Sequence, residues 1–233
     1  MIFAAGEGTR LRPLTLTRPK ALVEIGGEPM LARVLRAVRA AGVKEAVVNV
    51  HYLAGQIVDF LAANDFGLHI TVADESTRLL DTGGGLLAAR RLLGDDEPVL
   101  LHNADICTDL DLGCLRLSGD ASLLVADRPS SRRLCFDPEM RLCGWANENT
   151  GETRGEATTL RRAFNGIHIV APSIFPALER YSAAIGSDVF SLTPFYVAEA
   201  RRLDIRGIEL DGYRWHDIGN LEKLDAARAD FRS

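Results

Sequence analysis

The sequence predicts an α/β fold built on a doubly wound, mostly parallel sheet. Two observations support this prediction. From Met1 to about Asp105, short apolar runs alternate with segments of helical periodicity, which is the pattern of a parallel sheet covered by helices. The apolar run "PVLLHNAD" (residues 98–105) ends on polar residues, and ligands of doubly wound folds bind beyond the carboxyl ends of their strands.

The first half of the chain alternates predicted strands and helices. The strands are the apolar runs at residues 1–5, 46–52, 68–74 and 98–105. The first helix has Met30, Leu31, Val34, Leu35 and Val38 on one face and ends at Gly42. The second is marked by Ile57, Phe60 and Leu61, and the third follows residues 83–85.

The second half of the chain has a more mixed pattern. Its predicted elements are strand 121–128, hairpin 134–145 turning at 137–140, polar loop 151–158, strand 163–170, helix 192–202, strand 203–210 and closing helix 221–231. The sequence shows no internal repeat and no low-complexity linker. We therefore expect one domain with an inserted, lid-like second half.

The charge balance argues against proteins that bind large polyanions. The 233 residues carry 27 Lys and Arg against 32 Asp and Glu, a formal net charge of −5, and no run of basic residues. We expect neither nucleic acid nor a membrane surface as a partner, and a bound anion should be small. The four cysteines form no CxxC pair and no apolar run approaches about 18 residues, so a reduced, cytoplasmic protein is expected.

The segment "AAGEGTRLRPLT" (residues 4–15) crowds positive charge around two glycines directly after the first strand. Gly6 and Gly8 let the backbone approach a ligand with its N–H groups, and Arg10 and Lys20 add charge. An arginine fork and a lysine point charge bind phosphates in complementary ways. The segment is neither a Walker A loop nor a GxGxxG fingerprint, and a bare turn after a strand is the alternative interpretation.

A second glycine-rich segment, "LLDTGGG" (residues 79–85), stands at a predicted helix start. Three glycines are costly inside a helix, so we expect them to let a flat ring or a phosphate approach the backbone. An ordinary helix N-terminus capped by Asp81 or Thr82 is the alternative.

Two aspartates are candidate ligands of a hard cation. Asp105 ends the predicted strand 98–105, where such a ligand belongs in this kind of fold, although an aspartate ending a strand is often a turn residue. Asp217 lies in "YRWHDIGN" (residues 213–220), a short polar loop before the closing helix. Only the fold could bring these two carboxylates together.

The residues 4–31, "AAGEGTRLRPLTLTRPKALVEIGGEPML", resemble the N-terminal signature of sugar-1-phosphate nucleotidyltransferases, the pyrophosphorylases that make nucleotide sugars. The resemblance spans nearly the whole chain, and the triple glycine is most similar to the N-acetylmuramate-1-phosphate uridylyltransferase branch. It implies the nucleotide-diphospho-sugar transferase fold, with a Rossmann-like sheet and a small lid-like insertion. It also divides the single domain 1–233 into a nucleotide-binding half at about 1–112, a sugar-binding half at about 113–220 and the closing helix 221–233.

The resemblance implies roles for individual residues. The glycine-rich loop cradles the triphosphate, Arg10 stabilises the departing pyrophosphate, and Lys20 binds the reacting phosphates. Asp105 and Asp217 hold Mg²⁺. The residues implied to bind the nucleotide or the sugar are Ala5, Gly6, Gly8, Thr9, Asp81 and Gly84 on the nucleotide side and Asn165 and Gly166 on the sugar side. For Asn165, a buried asparagine satisfied by the backbone is the alternative.

The chain departs from the family pattern in two places. Ala104 stands where relatives carry a glycine before the metal-binding aspartate. Many relatives place a second lysine on the sugar-phosphate side, whereas this chain has no lysine between Lys44 and Lys223. Arg161 or Arg162 could substitute for it, or the phosphate relies on Lys20 and Mg²⁺ alone.

The implied reaction is Mg²⁺-dependent transfer of a nucleotidyl group from a nucleoside triphosphate to a sugar 1-phosphate, with pyrophosphate leaving. UTP with N-acetylmuramate 1-phosphate is the expected pair. Guanylyl transfer to mannose 1-phosphate and thymidylyl or uridylyl transfer to glucose 1-phosphate are the alternatives. A non-catalytic subunit that senses nucleotides or sugars is a different class, and a monomer or weak homodimer is expected in either case. A nicotinamide-dependent dehydrogenase is disfavoured because the third fingerprint glycine is missing.

Overall fold

A ten-stranded sheet forms the centre of the fold in the computed structural model, which describes residues 1–94 and 96–231. The predicted α/β class is confirmed, because helices cover a sheet whose first-half strands run parallel. No helix in the described ranges has both the length and the apolar character needed to cross a membrane.

The strands are short and alternate with helices through the first half of the chain. The strands are β1 Ile2–Phe3, β2 Glu24–Ile25, β3 Glu28–Pro29, β4 Glu45–Val50, β5 His69–Asp74, β6 Val99–Asn103, β7 Ile106–Thr108, β8 Ala121–Ala126, β9 Arg132–Phe136, β10 Leu142–Asn147, β11 Thr153–Gly155, β12 Leu160–Val170, β13 Ile205–Glu209 and β14 Trp215–Asp217. The helices are α1 Met30–Ala40, α2 Ala54–Ala63, α3 Asp81–Ala88, α4 Arg90–Leu93, α5 Ile174–Ile185, α6 Leu192–Glu199 and α7 Leu221–Asp230.

The order of the main sheet is β11-β10-β9-β12-β6-β1-β4-β5, and β8 and β13 join it through β12. Strands β5, β4, β1 and β6 are parallel, so their carboxyl ends meet at one edge. Every antiparallel pair in this sheet involves a strand of the second half, above all β12, which pairs with β6, β8 and β9. The second half therefore extends the same sheet from the β6 side.

Helix α1 forms as its periodicity predicts. Leu31 and Leu35 are fully buried and pack in one cluster with Val48 and Val50 of β4. Burying a leucine side chain contributes about 1.5–3 kcal/mol, so this apolar face fixes the helix against the sheet. Gly42, at φ +89°, takes the chain out of the helix.

Helix α5 and strand β11 are absent from the sequence predictions. Helix α5 carries Pro176 in its first turn, where the missing N–H costs nothing, and it buries Ile174, Phe175 and Leu178 against the sheet. Strand β11 lies in the predicted polar loop 151–158. Its three residues are exposed and pair with β10 through the backbone, so side-chain periodicity gives no sign of it.

Candidate active site

A cleft of about 490 Å³ opens at the carboxyl ends of β1 and β6, the edge where ligands bind in such folds. Most of the residues predicted to bind nucleotide line it. The lining includes Ala5, Gly6, Gly8, Thr9, Arg10, Lys20, Asp81 and Asp105. A groove of about 610 Å³ lies at the opposite edge, where β4 and β6 begin, and it holds none of the predicted site residues. The cleft is therefore the candidate site.

The opening loop, residues 4–15, owes its shape to Gly8. This residue has φ +64°, and its carbonyl accepts hydrogen bonds from the Leu11 N–H at 2.9 Å and from Thr15 Oγ1 at 2.8 Å. Leu11 and Thr15 are fully buried and anchor the loop. A Cβ on Gly8 would lie 3.0 Å from Cβ of Lys20. Glycine thus permits both the left-handed backbone and the close approach of Lys20.

Lys20 forms an ion pair with Asp105. The side chains are 12% and 29% exposed, so the pair sits in the wall of the cleft with the carboxylate more open. Ala104 is buried and donates its N–H to Phe3 O at 3.0 Å, which ties the end of β6 to β1. The structure therefore accommodates an alanine at this position.

The fold brings Asp217 beside Asp105. Strand β14 pairs antiparallel with β7, so Asp217 lies opposite Ile106, and the Ile218 N–H donates to the Asp105 carbonyl at 3.0 Å. This ladder brings together the backbones of two aspartates that are far apart in the sequence. We refer to Asp105 and Asp217 as the aspartate pair.

Two cations lie next to Asp217. Lys223 Nζ is 2.8 Å from its Oδ2. A Cβ placed on Gly219 would lie 3.0 Å from Oδ1 of Asp217 and 3.4 Å from Nη2 of Arg10, so the guanidinium and the carboxylate flank this glycine. Arg10 of the opening loop therefore lies near Asp217.

The aspartate pair fits the donor set of a magnesium ion. Both carboxylates are partly exposed, at 29% and 27%, and carboxylate oxygens are hard ligands of the kind Mg²⁺ takes, usually only one or two from the protein. No cluster of three or more His, Cys, Asp or Glu side chains in the described ranges suggests a transition-metal site. Water and phosphate oxygens would complete the coordination.

The structure gives a packing role to the three consecutive glycines, residues 83–85. Gly83, Gly84 and Gly85 are buried in the first half of α3, and the N–H groups of Gly83 and Gly84 both donate to Phe190 O. A Cβ on Gly84 would lie 2.0 Å from the carbonyl oxygen of Asp188. Close packing against protein backbone therefore accounts for these glycines, and contact of Gly84 with the nucleotide stays a prediction.

Gly84 also lies outside the residues that line the cleft, whereas Asp81 and Thr82 are among them. Asp81 adopts φ 60°, accepts the Thr82 N–H at 2.6 Å and accepts a hydrogen bond from Ser191 Oγ. The start of α3 rather than its glycines therefore faces the cleft.

A buried hydrogen-bond chain connects the opening loop to the start of α3. The Ala4 N–H donates to Asn49 Oδ1 at 2.8 Å, Asn49 Nδ2 donates to Glu75 Oε1 at 2.8 Å, and Glu75 Oε2 accepts the Leu80 N–H at 3.0 Å. Glu75 is only 5% exposed. These bonds hold the two walls of the cleft in a fixed relation.

On the sugar side, Asn165 is buried and its side chain is held by other side chains. Its Oδ1 accepts from Arg128 Nε at 2.9 Å, and its Nδ2 donates to Tyr213 Oη at 2.9 Å. Gly166 has φ +75°, and a Cβ there would lie 2.8 Å from Asn103 Nδ2, next to the end of β6. Gly166 therefore lies next to Asn103, which lines the cleft, whereas neither Asn165 nor Gly166 is itself among the lining residues.

The two arginines considered as substitutes for a sugar-side lysine have carboxylate partners. Arg161 pairs with Glu148 at 3.0 Å, and Arg162 pairs with Glu209 at 2.6 Å. Neither is among the residues lining the cleft.

Comparison with known proteins identifies the family. Residues 1–115 match the model of the nucleotidyl transferase family. The N-acetylmuramate alpha-1-phosphate uridylyltransferase of Neisseria meningitidis serogroup B is 31% identical over 98% of this chain and 96% of its own length. The chain belongs to the nucleotidyl transferase family.

Two further proteins resemble this nucleotidyl transferase. The mannose-1-phosphate guanyltransferase of Candida albicans is 32% identical over 94% of this chain, which spans 60% of that protein. A crystal structure of a candidate glucose-1-phosphate thymidylyltransferase from Bacillus anthracis superposes with a TM-score of 0.82 over all of this chain and 94% of the other, at 19% identity, and shows the shared fold. The sequence prediction of this enzyme family is confirmed.

Sequence reasoning missed several residues around the site of this nucleotidyl transferase. Glu75 gives a weak signal, a carboxylate directly after a predicted strand, but its buried contact to Asn49 depends on the β4–β5 pairing. Lys223 stands out as one of only three lysines, yet its contact to Asp217 needs the turn before α7. Arg128 follows a strand among other arginines, and nothing local distinguishes it.

Proposed function

We propose that the protein transfers a nucleotidyl group from a nucleoside triphosphate to a sugar 1-phosphate, giving a nucleotide sugar and pyrophosphate. The observation that carries the proposal is the β7–β14 ladder, which sets Asp217 beside Asp105 next to Arg10 and Lys20. Asp105, Arg10 and Lys20 line the cleft, and Asp217 lies on the strand paired next to Asp105, so groups that suit a cation and groups that suit phosphates are close together.

The reaction needs charge neutralisation more than proton transfer. A phosphate oxygen of the sugar 1-phosphate attacks the α-phosphorus of the triphosphate, and the bond from that phosphorus to the bridging oxygen of the leaving pyrophosphate breaks. The nucleophile is already an anion, so no general base is required. Arg10 and Lys20 stabilise the negative charge on the phosphates and orient the two anions in line.

In this proposal the aspartate pair holds Mg²⁺. The ion would supply positive charge to the phosphate oxygens as pyrophosphate leaves. In the structure, Lys20 and Lys223 neutralise Asp105 and Asp217. Each lysine can exchange its carboxylate partner for a substrate phosphate when the carboxylates bind a cation.

We propose UTP and N-acetylmuramate 1-phosphate as the substrates, supported by the uridylyltransferase relative that matches 98% of this chain. Guanylyl transfer to mannose 1-phosphate is the second candidate, because a guanyltransferase has a similar identity of 32%. Backbone and side-chain contacts around the start of α3 would distinguish uracil from guanine.

Pyrophosphate release tests the proposal. With Mg²⁺ present, UTP, dTTP, GTP and CTP are crossed with the 1-phosphates of N-acetylmuramate, N-acetylglucosamine, mannose and glucose. We expect release with UTP and N-acetylmuramate 1-phosphate above every other pair. Release only with GTP and mannose 1-phosphate would select the second candidate, and silence across all pairs from folded protein would contradict nucleotidyl transfer.

A further inference from the structure

Arg128 feels the charge of Asp217, and within the described residues its own charge has no carboxylate partner. Within residues 1–94 and 96–231, the hydrogen bonds of its guanidinium go only to an amide oxygen and two backbone carbonyls. These are Asn165 Oδ1 at 2.9 Å, Phe164 O at 2.8 Å and Pro129 O at 3.5 Å. Neutral acceptors position the guanidinium but leave its charge uncompensated.

The guanidinium is also held in one plane. Its Cζ lies 3.9 Å from the centre of the Trp215 ring, and the Trp215 Nε1–H donates to the Asn165 carbonyl at 2.9 Å. Stacking on an indole and a bond to a buried amide fix the orientation of the fork before any ligand arrives. Three arginines of neighbouring strands, Arg133, Arg161 and Arg162, by contrast pair with carboxylates.

The position of Arg128 relates it to the aspartate pair. Trp215 and Asp217 are two residues apart on β14, so their side chains lie on the same face of the strand. Burial lowers the pKa of Arg128, and the charge of Asp217 opposes this shift. Among the described residues, Nη1 makes one long hydrogen bond, to the Pro129 carbonyl at 3.5 Å, and has N–H groups left for a ligand.

We propose that Arg128 binds an oxyanion of the sugar substrate and takes the place of the sugar-side lysine that the chain lacks. The inference rests on the proposed function. The oxyanion is either the 1-phosphate, common to all sugar substrates, or a carboxylate on the sugar, as on the lactyl group of N-acetylmuramate. Both present the paired oxygens that a guanidinium fork binds.

The test separates the binding of the sugar from that of the nucleotide. Arg128→Met, Arg128→Lys and the matched control Arg132→Met are compared with wild type, since Arg132 is exposed on the neighbouring β9. We expect Arg128→Met to raise KM and Kd for the sugar 1-phosphate about 10- to 100-fold, the scale of a lost charged hydrogen bond. KM for the triphosphate should change less than about threefold. Arg128→Lys should restore only part of the loss because it lacks the fork.

Two sugars distinguish the sources of the oxyanion. If Arg128→Met loses affinity equally for the 1-phosphates of N-acetylmuramate and N-acetylglucosamine, Arg128 binds the phosphate. If it loses affinity only for N-acetylmuramate 1-phosphate, Arg128 binds the carboxylate. The proposal would be overturned if the KM and Kd of Arg128→Met for both sugars were within about threefold of the Arg132→Met values. Arg128→Lys decides the question if Arg128→Met does not fold.

The binding measurement also separates this proposal from the proposed function. Titration calorimetry with the sugar 1-phosphate, in the presence of a non-hydrolysable triphosphate, needs no turnover. If the wild type binds the sugar 1-phosphate but shows no turnover, nucleotidyl transfer is contradicted. Loss of that binding in Arg128→Met would still support a role of Arg128 in binding the sugar. Wild type that does not bind any sugar 1-phosphate contradicts both.

Discussion

At the scale of single residues, lysines neutralise both members of the aspartate pair. Lys20 pairs with Asp105 and Lys223 with Asp217, while the third lysine, Lys44, is exposed at the opposite edge of the sheet. Lys20 is the more buried of the two paired lysines, at 12% against 49% exposure. A preorganised, partly desolvated cation stabilises developing charge better than a solvated one, so Lys20 should matter more for catalysis.

Replacing Lys20 tests its role in catalysis. We expect Lys20→Ala to lower kcat by about 10²-fold or more, the scale of removing one preorganised electrostatic group. Pyrophosphate release at saturating substrates measures this effect. Lys44→Ala removes the same charge from the other edge of the sheet and should leave kcat unchanged. If Lys20→Ala and Lys44→Ala had the same kcat, the proposed role of Lys20 in catalysis would be contradicted.

The residues that sequence reasoning finds are those whose partners are close along the chain or whose motif is complete. Arg10 and Lys20 follow Gly8 within one segment, and the structure places all three at the cleft. Sequence reasoning missed Arg128 because its partner Trp215 is far away in the sequence. It missed Lys223 because the contact to Asp217 depends on the turn before α7. For Gly84 the residue stands out in the sequence, but the neighbour that requires a glycine is Asp188, about a hundred residues away.

At the scale of elements, close packing of α3 against the segment before α6 forms one wall of the cleft. The Phe190 N–H donates to Leu80 O at 3.2 Å, and the Phe190 carbonyl accepts from two N–H groups of α3. The Leu192 N–H donates to Thr82 Oγ1 at 3.0 Å. Glycines without side chains allow this approach, so any added Cβ must separate the two segments.

A comparison of two glycine-to-alanine variants tests this packing. Gly84→Ala places a Cβ 2.0 Å from a backbone oxygen and should destabilise the protein by about 1–3 kcal/mol. Gly55→Ala, in the first turn of α2, has no neighbour within 4 Å and should stabilise by about 0.5–1 kcal/mol. Urea unfolding measures both. A stable Gly84→Ala protein would show that the segments do not pack as described.

The elements that sequence patterns predict are the ones with a buried, periodic face. Helix α1 and strand β4 have such faces, and the structure confirms them with shifts of a few residues. Strands β7 and β14 have three residues each and form only by pairing with each other across about a hundred residues. This pairing creates the site, and no local pattern can indicate it.

At the scale of the whole molecule, two buried histidines link folding to pH. His102 on β6 and His168 on β12 are 1% and 2% exposed. Burial lowers the pKa of His102 to about 4 and that of His168 to about 3. The unfolded chain binds these protons near pH 6.5, so the folded state loses stability as pH falls from about 6.5 towards those lower values.

A variant at His168 tests this link. Neither ring nitrogen of His168 has a hydrogen-bond partner in the described part of the chain, and the ring contacts Phe164 and Tyr196. His168→Phe keeps an aromatic ring and removes the titrating group. We expect it to reduce the loss of unfolding free energy between pH 6.5 and pH 4 by up to about 3 kcal/mol. The control is His69→Phe, at an exposed histidine. If the unfolding free energy of the two variants depended on pH in the same way, the account would be contradicted.

The central claim is that the aspartate pair and the basic opening loop form one centre for nucleotidyl transfer. The most direct measurement follows the label from UTP radiolabelled at its α-phosphorus, with N-acetylmuramate 1-phosphate and Mg²⁺, for wild type and Asp217→Asn. We predict that wild type moves the label into a nucleotide sugar with equimolar pyrophosphate, and that Asp217→Asn is slower by about 10²-fold. Wild type that leaves the label in UTP or UMP, or Asp217→Asn that transfers it at the wild-type rate, would contradict the claim.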